Sequence, residues 1–152
     1  WLDASVNLDQ WVGAAPQDSF VCTLRAQLYS AEQQHAQALA LYEAHLADAD
    51  RQGLAHMRAA HLADQAWCRF HTGDTHGART DATAAAALID PGMYVEDLAI
   101  ACGRLDQVFE ALGDIDASLR HRQMAREHWA THQTMMQSMI DLLARALATE
   151  AH

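Results

Sequence analysis

The sequence predicts an all-α chain made of stacked helical hairpins, and three observations predict it. Alanine, the strongest helix former, dominates long stretches, while glycine and proline number only 7 and 2 in 152 residues. Apolar residues recur at three- and four-residue spacing rather than in alternation. The chain also repeats itself every forty residues, so that residues 19–58, 59–98 and 99–138 align without a gap. In that alignment Gln33-Gln34 meets Gly73-Asp74 and Gly113-Asp114. Ala38 meets Ala78 and Ser118, Ala26 meets Ala66, and Cys22 meets Leu62 and Cys102. Leu28 meets Cys68 and Val108, and Tyr29 meets Phe109. Small and apolar residues at fixed intervals mark a unit that cannot bury its apolar face alone and must stack on its neighbours.

Each block reads as two helices. In the first block Val21, Leu24, Leu28 and Tyr29 share one stripe, "EQQH" interrupts it, and "AQALALYEAHLADAD" follows with Leu39, Tyr42 and Leu46 on one face. Gly53 is placed to follow the C-cap. The second block turns at "TGDTHGAR" (72–79) and ends at "IDPG", where Pro91 and Gly92 stop the helix. The third runs "VEDLAIACGRLDQVFEAL", turns at Gly113-Asp114, and resumes at about Ile115. Thr134 and Gln137 have capping-box spacing, so a break near "THQT" and a terminal capping helix over about 134–150 are expected. Residues 1–12 suggest an incomplete leading helix and "GAAP" (13–16) a connection. All 152 residues are expected to form one domain, a fragment of a longer chain because it opens on Trp1.

Composition narrows the function. With 20 acidic and 10 basic residues the formal net charge is −10, which opposes nucleic acid or an anionic membrane surface as partner. No apolar run approaches membrane-spanning length. Three cysteines without CxxC spacing read as buried apolar residues of a reducing, cytoplasmic compartment. No nucleophile elbow, P-loop or dinucleotide fingerprint occurs, and no catalytic residue or cofactor is expected. "DADRQG" (48–53) resembles a calcium loop but lacks the downstream glutamate. His121, His128 and His132 share a helical stripe, an arrangement that suggests a Zn²⁺ or pH-sensing face but supplies too few ligands alone. "HWATH" has no glutamate beside its first histidine, as a zinc protease requires.

The repeat resembles the tetratricopeptide-repeat (TPR) family. Ala26, Tyr29, Ala38 and Tyr42 match its pattern in block one; Ala66, Gly73, Asp74, Ala78 and Ala85 match it in block two. Leu105, Phe109, Gly113, Asp114, Ile115 and Ala125 match it in block three, so about 120 residues are covered. The departures are a period of forty rather than thirty-four, no glycine in the first turn, Arg69 at an aromatic position and Ser118 at an alanine position. The resemblance implies a groove lined by the first helix of each pair, here Phe20, Gln27 and Ser30, then Trp67, Phe70 and His71, then Ile100, Gln107 and Glu110. It implies a protein or peptide partner, with Trp67 and Phe70 as aromatic anchors. The lysine clamp of chaperone-binding members has no counterpart, since every basic residue here is arginine. Longer TPR-like units accompany output domains in bacterial regulatory proteins, a diguanylate cyclase or a DNA-binding domain among them. A non-catalytic regulatory module is therefore the expectation, self-associating through its last helix, where Met135, Met136 and Met139 suit an adaptable contact. The alternative is a small-molecule or metal sensor using the groove or the histidine stripe.

Overall fold

A computed structural model describes residues 19–150, with the side chains of 149 and 150 left aside. The described residues form six α-helices and no strand: α1 (Ser19–Ala31), α2 (His35–Arg51), α3 (Arg58–His71), α4 (Thr75–Ala87), α5 (Val95–Ala111) and α6 (Ile115–Glu150). A short 3₁₀ turn, Leu54–Met57, leads into α3. The expected leading helix and connection lie outside the described residues.

The forty-residue period is written into the backbone. Gln33, Gly73 and Gly113, one period apart, all take left-handed dihedrals (φ 62°, 92° and 77°). At each turn the next amide reaches back five residues: Gln34 N to Tyr29 O at 2.8 Å, Asp74 N to Arg69 O at 2.9 Å, Asp114 N to Phe109 O at 2.8 Å. A second bond spans three residues at each turn, giving three copies of one Schellman closure. Asp74 and Asp114 then cap the following helix, accepting from Gly77 N and Ala117 N. Gln34, their counterpart, makes no such side-chain bond.

Small residues let the helices approach. Ala26, Ala66, Ala38, Ala78 and Ser118 are all buried, and so are Cys22, Leu62 and Cys102 at one register and Cys68 and Val108 at another. The cysteines are free, and burial pushes the Cys68 and Cys102 thiols up to about 11, which removes them as nucleophiles at neutral pH. The main core gathers Leu46, Leu62, Ala66, Leu105, Val108 and Phe109 from α2, α3 and α5.

Two of the departures from the family pattern, Arg69 and Ser118, have partners in the fold. Arg69 bridges three elements, with Nε 2.7 Å from Asp81, Nη1 3.0 Å from Asp74 and Nη2 2.8 Å from Glu43. Ser118 donates to Asp106 (2.7 Å), which Arg122 also holds at 2.9 Å.

The expected break at 134 does not occur, and α6 runs unbroken for 36 residues. Thr134 returns its hydroxyl proton to Ala130 O and Gln137 donates to Asp141, so both side chains are satisfied inside the helix and neither caps one. Without a glycine or proline past Gly113, nothing interrupts the backbone ladder. There is accordingly no separate capping helix over 134–150.

Candidate functional site

The first helices, α1, α3 and α5, line two adjoining cavities. One, of about 480 Å³, is bounded by Gln27, Ile100, Gly103, Arg104, Gln107 and Trp129, among others. The other, of about 530 Å³, is bounded by Ser30, Gln33, His35, Trp67, His71 and Arg104. Arg104 is the wall between them.

The wall is held by a buried carboxylate. Asp64 Oδ1 accepts from Ser30 Oγ (2.9 Å) and faces Arg104 Nε (2.9 Å), while Oδ2 accepts from Tyr42 Oη (2.8 Å). Four helices thus meet on one side chain. Tyr42 is fully buried, and burial together with Asp64 drives its phenol far above the ordinary range, so it only donates. Arg104 also donates to Gln107 (2.8 Å) and lies over the Trp67 ring at 5.5 Å, which fixes the guanidinium as a plane between the cavities.

Aromatic rings line the second cavity. Trp67 stacks with Phe70 and meets His71 edge-on at 4.3 Å, and His71 stacks on His35 at 4.3 Å. His35 is held below its usual pKa by burial first and by the neighbouring His71 second, so His35 favours the neutral imidazole.

Small residues contribute to the lining of the first cavity: Ala60, Ala99 and Gly103, together with the larger Met57, Ile100 and Trp129. Gly103 sits in the interior of α5, yet apart from its own stretch of helix backbone nothing lies within 4 Å of the place where a Cβ would stand.

The residues expected from the sequence divide. Gln27 and Gln107 line the first cavity, and Ser30, Trp67 and His71 line the second. Ser30 is buried and committed to Asp64. Trp67 also packs against the main core, so it joins groove and interior. Phe70 borders a different recess, with Thr75, His76 and Leu112. Glu110 turns to Arg122 of α6 (3.1 Å), and Phe20 is exposed outside both linings.

Asp64, Arg104, Gly103 and Trp129 were not anticipated. A signal for the first two was present: they stand forty residues apart, and opposite charges at one register of adjacent repeats face each other when the repeats stack. Trp129 comes from a second helix, where the family pattern places no groove residue.

The histidine stripe does not act as a unit. His121 is buried against Phe109, with Nδ1 2.8 Å from Ala117 O, while His132 faces Glu96 at 3.4 Å. Among the described residues, no group of three His, Cys, Asp or Glu is placed to share a metal ion. Nor is any described helix long and apolar enough to cross a membrane.

Comparison of the chain with known protein families, with curated proteins and with solved structures finds no match.

Proposed function

We propose that the chain is a non-catalytic, TPR-like interaction module that takes an apolar side chain of a protein or peptide partner into the trough over Gly103. Gly103 carries this reading. Glycine inside a helix costs about 1 kcal/mol relative to alanine. Neither a positive φ nor a close neighbour demands it here. The space it leaves is open, and the cavity it lines has an apolar share (Met57, Ala60, Ala99, Ile100 and Trp129) and a polar one (Gln27, Asp64, Arg104 and Gln107). Apolar contacts beside a few polar groups are what a protein-recognition site requires. In the chain's wider role, the module passes the bound or unbound state to an output domain of bacterial signalling type, such as a diguanylate cyclase.

The second cavity favours one further reading. Its rings and Arg104 suit a small planar anion stacked on Trp67, and its volume lies in the range of ligand pockets.

Peptide-library selection on the whole chain tests the main proposal. Enriched peptides are expected to share an apolar anchor and to lose at least about tenfold in affinity on Gly103→Leu, which fills the trough while raising helix propensity. The thermal midpoint should hold or rise. Failure to enrich any peptide, or equal affinity for wild type and Gly103→Leu, refutes the trough as the site.

A further inference from the structure

The second half of α6 leaves the body of the molecule. From residue 133 to residue 148 every position is exposed, over a length of about 24 Å. Met135, Met136, Met139, Ile140, Leu142, Leu143 and Leu147 lie here, each between 42% and 69% exposed. Soluble chains seldom leave so many large apolar side chains together in water. A helix of this length without tertiary packing is also marginal by itself, so it gains from a partner.

Spacing and charge identify the partner. Met136, Ile140, Leu143 and Leu147 follow one another at intervals of four, three and four, the seam of a two-helix coiled coil, and Gln133 precedes them in register. Ile140 and Leu147 then fall at one seam position and Met136 and Leu143 at the other. The flanking positions are Gln137, Met139, Ala144 and Ala146, with no charge to repel a like helix. Asp141 and Arg145 cancel, so residues 133–148 carry no net charge in a chain of net charge −10. A basic partner would find nothing on this segment to grip, whereas a second copy meets a self-complementary seam. We infer that residues 133–148 pair with the same segment of a second copy of this chain, through Met136, Ile140, Leu143 and Leu147.

The seam is just over two heptads long, and its four side chains with Met139 offer on the order of 500 Å² per chain, below the roughly 800 Å² of a standard interface. A seam of this size suits a weak, reversible pairing, for which we expect a dissociation constant in the micromolar range. The acidic bodies repel each other while the seam is apolar, so added salt strengthens the dimer by screening.

Sedimentation of the whole chain tests this. At about 100 µM the mass should be twice 16.7 kDa, falling to the monomer below about 1 µM, with the dimer fraction rising between about 0.05 and 0.5 M salt. Ile140→Asp with Leu143→Asp should hold the chain monomeric at the higher concentration. Its thermal midpoint for the helical body should stay unchanged, since both side chains are exposed. Leu143→Ala, which keeps helix propensity, should weaken pairing in the same direction. A monomeric wild type, a dimer surviving the double substitution, or a dimer that salt dissociates would each overturn the assignment. None of these outcomes decides whether the trough over Gly103 takes a peptide, which the peptide selection reads separately.

Discussion

Lowering the pH from 7 to 5 should destabilise the fold by about 2 kcal/mol through one side chain, His61. Its residue is 2% exposed, its ring lies 6.1 Å from that of Tyr42, and Nδ1 has no hydrogen-bond partner. Burial is the largest influence and pushes its pKa down to about 4; Asp64 opposes this and His56 adds to it. In the unfolded chain the imidazole titrates near 6.5, so between about 6.5 and 4 the unfolded state binds a proton that the folded state refuses. Stability from this group is thus intact above about 6.5 and falls as the pH falls, by about 2 kcal/mol at pH 5 and about 3 at pH 4. With a urea dependence of about 2 kcal/mol per molar, the unfolding midpoint moves down by about 1 M between pH 7 and 5. Circular dichroism below about 1 µM protein, where the chain is expected to be monomeric, reads that midpoint. His61→Leu replaces a buried ring whose Nδ1 lacks a partner by an apolar group and should lie within about 1 kcal/mol of wild type at pH 7. It should lose the His61 share of the acid slope. Asp97, whose carboxyl burial raises, slopes the other way, and the comparison of wild type and variant cancels it. A His61→Leu protein with the full wild-type slope would refute the reasoning.

Two more outcomes follow from the register and the hub. Gln33 holds at φ 62° a position that glycine holds in the other two turns, so Gln33→Gly should raise stability by about 0.5–1 kcal/mol in urea unfolding. Asp64→Ala should cost about 3 kcal/mol, because it strands Tyr42, Ser30 and Arg104, whereas Tyr42→Phe should cost only about 1; comparable losses would mean that Asp64 is not the hub.

The hairpins and their turns were legible in the sequence because the repeat is local chemistry. A left-handed residue, a capping acid and a small contact residue each act within a few positions, and the forty-residue period repeats them. Arg69 shows where that legibility ends. From the sequence it is an aromatic gone missing; in the fold it meets Glu43 of α2, Asp74 at the cap of α4 and Asp81 within α4. The break near Thr134 failed for the opposite reason. The capping-box spacing is there, but a spacing caps a helix only if its first residue leaves the helical backbone, and without glycine or proline Thr134 has no cause to leave. Gly103 was invisible because its meaning is an absence of neighbours, which sequence patterns do not record.

The two surfaces proposed here share one physical origin. In a stacked repeat the outer face of each second helix is covered by the next pair. Ala49 is buried, and Ile89, one period on, packs against two core clusters. Trp129 stands at the next register, where no described hairpin follows, and is 42% exposed at the rim of the trough. From there α6 simply continues, and the apolar pattern that would pack against a following pair becomes a free seam. The last helix therefore gives its first half to the groove and its second half to a like helix. A partner seated against Trp129 would sit at the base of the helix that makes the dimer. Peptide binding and self-association should then be coupled: a peptide selected on the trough should change the dimer constant, and by linkage dimerisation should change the peptide's affinity by the same factor.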